Sequence, residues 1–139
     1  MDDILLASSD VNLLLKTKKF LSSKFDTMDL GEASFVLEID THRDRENGVL
    51  GLSQKAYLEN VLKKYSMHAC KPSPAPIVKG DSFEEFQCPR NQYEIDRMKS
   101  VPYDSAVGSL QYAEVCTHPD LAFVTKILGR YKSNPGIEH

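Results

Sequence analysis

The strongest constraint on the fold is a proline-bearing stretch in the middle of the chain. Pro72, Pro74 and Pro76 alternate with small residues, and each lacks the N–H that a helix interior or central strand needs. Each also pushes the residue before it into extended backbone. Residues 71–76 therefore read as extended chain. They sit inside a segment, residues 67–102, that is long for an ordinary loop, within which residues 92–99 have room for a helical turn or two. This segment separates two stretches with clear periodic patterning, and the chain reads as residues 1–66, a proline-containing linker over 67–102, and a helical part over 103–139.

The first stretch opens with Asp2 and Asp3 before an apolar run at residues 4–8 that reads as a strand. Asp10 is placed to cap a helix running to about residue 25, whose Val11, Leu14, Leu15, Leu21 and Phe25 fall at helical spacing. Gly31 closes the following turn. Residues 32–44 read as one strand, with Phe35, Leu37 and Ile39 on a single face. Asn47-Gly48 predicts a type I′ hairpin back into a strand at residues 49–52. Ser53 then caps a helix to about residue 65, striped by Tyr57, Leu58, Val61, Leu62 and Tyr65. Beyond the linker a helix is expected over residues 103–116. Thr117 is placed to cap another, carrying Leu121, Val124, Leu128 and Tyr131. The order of elements predicts an α+β fold with a small antiparallel sheet.

Composition enters where function classes must be excluded. With 17 Lys+Arg against 20 Asp+Glu the net charge is −3, which removes a strongly cationic nucleic-acid binder but leaves room for a local basic face. Lys16, Lys18, Lys19, Lys24, Lys63 and Lys64 lie on expected helices, and Arg43 and Arg45 alternate with acids. Such groups can meet phosphates, and equally they are the ordinary outer faces of helices. No run approaches the roughly 18 apolar residues of a membrane span. Acids before the first apolar run are the wrong charge order for a secretory leader, so an intracellular, cytoplasmic or nuclear, location is expected. Cys70, Cys88 and Cys116 are odd in number and widely spaced. They fit neither a disulfide framework nor a CxxC zinc pattern, although His68 with Cys70, or Cys116 with His118, leave a ligand reading open. Asp2-Asp3 at a hairpin can place a carboxylate toward a hard metal ion; on pattern alone a solvated acidic stretch explains the pair as well.

These residues resemble one family. Met1-Asp2-Asp3-Ile4-Leu5-Leu6-Ala7-Ser8 is similar to the catalytic hairpin of the reverse transcriptase in copia-like LTR retrotransposon Pol polyproteins, in which Tyr-Val-Asp-Asp precedes an apolar strand. Here Met1 stands at the valine position. Further likeness lies in Met28-Asp29-Leu30-Gly31, in residues 35–45, and in Gly51-Leu52-Ser53-Gln54-Lys55-Ala56-Tyr57. It continues through Tyr103-Asp104-Ser105-Ala106-Val107-Gly108-Ser109-Leu110 and Cys116-Thr117-His118-Pro119-Asp120-Leu121-Ala122-Phe123.

The resemblance implies a partial polymerase palm followed by thumb- or connection-like helices. It implies that Asp2 and Asp3 form an incomplete catalytic site holding Mg2+ (or Mn2+), and that Leu37, Glu38 and Ile39 form a primer-contacting hairpin. Glu38 stands where the family usually has glycine, adding bulk and negative charge beside phosphates. In the intact enzyme the partners are RNA/DNA primer-template and dNTP, with the missing palm and fingers or ribonuclease H segments. The expectation is a fragment of an RNA-directed DNA polymerase that is inactive alone. The alternative is a non-catalytic protein- or nucleic-acid-binding module derived from the transposon. A stretch starting within a catalytic hairpin and ending before the ribonuclease H region is expected to be a truncated or decayed piece.

Overall fold

A computed structural model describes residues 4–73, 75, 77 and 80–139. The chain divides into two compact units, one ending at Leu52 and the other spanning Ser53–His139. The fold is α+β, a small antiparallel sheet followed by several helices. Among the described residues no helix is long and apolar enough to cross a membrane.

The described residues of the first unit begin without a strand. Residues 4–8 have no regular structure, because an apolar run becomes a strand only where a neighbour accepts its ladder of hydrogen bonds. Helix α1 (Val11–Lys24) starts where the sequence places it. The Asp10 carboxylate accepts from the N–H groups of Asn12 at 2.8 Å and Leu13 at 3.3 Å, a cap worth about 1 kcal/mol. The expected strand over residues 32–44 is instead two. Strand β1 (Phe35–Val36) turns at Leu37-Glu38 and returns as β2 (Ile39–Asp44), with Val36 opposite Ile39 and Phe35 opposite Asp40. Strand β3 (Val49–Ser53) completes the sheet in the order β1-β2-β3.

The Asn47-Gly48 turn is also not the expected two-residue type. Gly48 alone takes positive φ, at 67°, whereas type I′ needs it at both central residues. The Asp44 carboxylate explains the difference. It accepts from the Glu46 and Asn47 N–H groups and from the Asn47 side chain at 2.7 Å, winding residues 45–48 into a longer turn. No described residue of this unit is buried.

The second unit holds the core. Helix α2 (Lys55–Lys64) has Gln54, not Ser53, as its N-cap residue, although the Ser53 hydroxyl still accepts from the Lys55 N–H at 3.3 Å. A short 3-10 turn at Glu85–Gln87 leads to α3 (Gln92–Met98), capped by Asn91. Pro74 and Pro76 lie outside the described residues, so the extended reading of that stretch is described only at its flanks. Helix α4 (Tyr103–Cys116) has the expected bounds. A 3-10 turn at Pro119–Leu121 then enters α5 (Ala122–Gly129). Thr117 does not cap that turn; His118 occupies the N-cap position. Val107 and Ala113 of α4 and Val124 and Thr125 of α5 are buried together with Gln54. The Tyr103 hydroxyl donates to the Leu128 carbonyl at 2.9 Å, tying the start of α4 to the end of α5 and making the pair antiparallel.

Candidate functional site

The hairpin expected to contact primer is present, and it carries unusual backbone. Leu37 and Glu38 both have positive φ, 52° and 60°. Two such residues between antiparallel strands form the left-handed turn whose twist suits a hairpin. Side chains other than glycine are disfavoured there by about 1–2 kcal/mol per residue. The Leu37 side chain remains largely exposed, while Ile39, the first residue of β2, is half-buried. The turn follows from the register: Val36 opposite Ile39 leaves only two residues for the reversal.

Charge around the hairpin is balanced locally. Arg45 donates to the Glu32 carboxylate at 2.6 Å and holds that acid below its usual range, by hydrogen bond first and charge second. Asp44 is likewise held down, chiefly by the Asn47 side chain. Lys18 of α1 grips both oxygens of Asp29, at 2.8 and 2.9 Å. That contact, with the Gly31 N–H behind it, keeps the Asp29 carboxyl low. Arg45 and Lys18 are therefore engaged within the unit.

Asp2 and Asp3 lie outside the described residues. Among the described residues no group of three or more His, Cys, Asp or Glu could hold a metal ion, so these residues do not by themselves form a site that fits Mg2+. The alternative ligands Cys70 and Cys116 are free thiols, and His118 faces Asp120 at 3.6 Å.

The other conspicuous motifs have a different role. The Tyr57 hydroxyl donates to the Ser109 carbonyl at 3.1 Å, and its ring meets Tyr112 edge-on at 5.0 Å. Tyr65 and Lys64 both donate to the Ser105 hydroxyl, at 3.0 and 2.8 Å. Thr117 donates to Gln54 Oε1 at 2.7 Å, and Thr125 donates to the Glu114 carboxylate. The motifs at residues 51–57, 103–110 and 116–123 thus interlock. The helical stripe expected of residues 53–65 includes Tyr57 and Tyr65, but periodicity gives no sign of Gln54 or Thr125 as buried polar residues.

The family model described as "Reverse transcriptase (RNA-dependent DNA polymerase)" matches residues 1–79. The chain belongs to the copia-type reverse transcriptase family. Over its whole length it is 41% identical to the "Retrovirus-related Pol polyprotein from transposon TNT 1-94" of Nicotiana tabacum, covering 10% of that protein. It is 29% identical, again over its whole length, to the Pol polyprotein from transposon RE1 of Arabidopsis thaliana, covering 9%. An uncharacterized mitochondrial protein of Arabidopsis thaliana is 32% identical over 97% of this chain, which covers 52% of that relative. The chain thus spans about a tenth of the length of the two Pol polyproteins. No solved structure matches it. As a reverse transcriptase relative, the chain carries Leu37 and Glu38 on a formed turn, while its three later motifs take part in packing.

Proposed function

We infer that the chain derives from the polymerase portion of a copia-type Pol polyprotein, an RNA-directed DNA polymerase, and that these 139 residues do not synthesise DNA alone. One observation carries this reading: the reverse transcriptase model aligns from residue 1 to residue 79, while the chain covers about a tenth of the related polyproteins. In the family enzyme Asp2 and Asp3 would hold Mg2+ or Mn2+, which lowers the pKa of the attacking primer hydroxyl and stabilises developing charge. That clamp needs a further acid, and nucleotide and template need fingers. Residues 1–139 resemble neither segment.

Within the same reading, the turn at Leu37, Glu38 and Ile39 borders the primer terminus. The Glu38 carboxylate, where the family usually has glycine, repels the primer phosphates. The test is primer extension on an RNA template with Mg2+ or Mn2+. The expected result is no extension by the chain alone. Robust synthesis that disappears in Asp2→Asn and Asp3→Asn would overturn the reading.

A second reading, a non-catalytic binding module derived from the transposon, is favoured by the first unit's surface. Phe20, Phe25, Met28, Leu30 and Leu37 each expose 60% or more, and no described residue of that unit is buried. Surfaces of that kind mark contact with other protein. Reproducible capture of an intact copia-type polymerase by the purified chain supports this reading; a monomer that captures none, even at low salt, removes it.

A further inference from the structure

The serine just past the end of α2 takes no part in the hairpin or in the joints between the motifs. Ser66 follows Lys63, Lys64 and Tyr65 and precedes Met67. It is exposed, and Met67 beside it exposes 50% of its surface. Two cations stand three and two residues before the hydroxyl, and a bare apolar side chain stands directly after it. Protein kinases select substrates by charge patterns of this kind: an acidic subsite meets the cations, and an apolar one takes the side chain that follows.

The backbone makes this stretch accessible. Helix α2 ends at Lys64, and Ser66 has φ 58°. That left-handed residue closes the helix. The Ser66 N–H donates to the Lys63 carbonyl at 3.0 Å, and the Met67 N–H donates to the Leu62 carbonyl at 2.7 Å. A serine is disfavoured in that conformation by about 1–2 kcal/mol. Helix ends fray, and this one gives up strain when it does. Residues 63–67 therefore straighten into a kinase cleft at the expense of the last helical turn alone.

Lys64 has a second task. Its ammonium donates to the Ser105 hydroxyl of α4 at 2.8 Å and lies 5.2 Å from the centre of the Tyr65 ring. A phosphate on Ser66 brings a charge of about −1.5 to −2 at neutral pH, two residues from that ammonium. It competes for Lys64 against a neutral hydroxyl, and a charge-assisted bond is the stronger. It also stands at the negative end of α2, where an anion is disfavoured.

We propose that Ser66 is a phosphorylation site for a protein kinase that reads basic residues, and that the phosphate draws Lys64 away from Ser105 and loosens the joint between α2 and α4. In the transfer, Ser66 Oγ bonds to the γ-phosphorus of a nucleoside triphosphate. The bond from that phosphorus to its bridging oxygen breaks, the diphosphate leaves, and the hydroxyl proton passes to the base of the kinase.

The test incubates the full chain with ATP, Mg2+ and the catalytic subunit of cyclic-AMP-dependent protein kinase, and locates the phosphate by tandem mass spectrometry. Phosphate on Ser66 is expected. Ser66→Gly, which suits the positive φ, loses the labelling. Lys63→Ala with Lys64→Ala slows it by about tenfold or more, and the paired arginine variant keeps it. Circular dichroism equal to the parent's certifies each variant as folded. Thermal denaturation then reads the consequence. The phosphorylated chain is expected to melt below the parent, with a smaller drop in Lys64→Ala, where the bond to Ser105 is already lost. No phosphate on Ser66, labelling of another serine in its place, or a rate indifferent to the two lysines would overturn the site. An unchanged or raised midpoint, or an equal drop in Lys64→Ala, would overturn the release of Lys64.

Discussion

Thr117, just past the end of α4, donates its hydroxyl hydrogen to the side-chain oxygen of Gln54, at the entrance to α2, across 2.7 Å. Gln54 is only 2% exposed. This bond joins two of the motifs by which the chain resembles its family, and the joint is structural. It also sits in an unbalanced environment, since Gln54 Nε2 has no hydrogen-bond partner among the described residues.

That imbalance sets the order of two substitutions. Thr117→Val removes the donor and leaves a second unsatisfied atom on a buried carboxamide, at a cost of about 1–3 kcal/mol. Gln54→Leu removes both buried polar atoms, and the half-buried Thr117 hydroxyl can turn to water. Urea denaturation is therefore expected to show Thr117→Val as the more destabilising change.

Gly136 is fixed by a close backbone approach. It is buried, and a Cβ built there collides with the Gln87 carbonyl oxygen. Its N–H donates to His139 Nδ1 at 2.8 Å, and that ring stacks on Tyr131. A backbone atom cannot rotate aside as a side chain does. Gly136→Ala is expected to cost about 1–3 kcal/mol, in the range for overpacking. A lowered thermal midpoint checks it, while Gly108→Ala, where an added Cβ meets nothing within 4 Å, leaves the midpoint unchanged or raises it.

How much of this was legible in the sequence depends on whether the cause was local. Asp10 announced α1 because the cap and its N–H partners are two and three residues apart. The bounds of α4 followed from apolar spacing. Residues 4–8 carried strand chemistry, but pairing is not a property of one segment. The turn at Leu37-Glu38 was hidden from residue patterning, because neither residue advertises positive φ, and only the family resemblance implied a hairpin there. Thr117 looked like a cap, but its hydroxyl serves a partner 63 residues away. The family motifs were legible as motifs and their apolar stripes as packing faces, yet the polar contacts that join them were not.

The Lys18–Asp29 contact gives the first unit a pH-dependent element. The Asp29 carboxyl lies below its usual value of 3.8, held there chiefly by the hydrogen bond from Lys18 and then by the Gly31 N–H. A folded pKa below the unfolded one contributes stability that is present above the unfolded value and lost as pH falls through the folded value. The contact should therefore hold from neutral pH down to about pH 4 and open below it. NMR of the Asp29 carboxyl and the Gly31 amide checks this. Asp29→Asn should abolish the titration, and because the pair is exposed, salt should weaken its effect.

The last prediction concerns Glu38, where stability and primer chemistry favour the same substitution. At φ 60° its side chain is disfavoured, and glycine tolerates that backbone freely. Glycine also loses more chain entropy on folding, so the net gain from Glu38→Gly is smaller than the steric relief, about 0.5–1 kcal/mol. Glu38→Val, branched at Cβ, is expected to destabilise by more than glycine stabilises, because a β-branched residue is a still poorer fit to positive φ. Leu37, at φ 52°, shares the turn, so Leu37→Gly should act in the same sense as Glu38→Gly and the pair should not be strictly additive. If Glu38 also repels primer phosphates, Glu38→Gly raises affinity for a primer-template duplex beyond what Leu37→Gly achieves. That excess shrinks with added salt, since only the glutamate change removes a charge. Denaturation of the three variants measures the backbone part, and duplex binding at two salt concentrations isolates the charge. Equal binding by the two glycine variants at low salt would leave Glu38 with a purely conformational role.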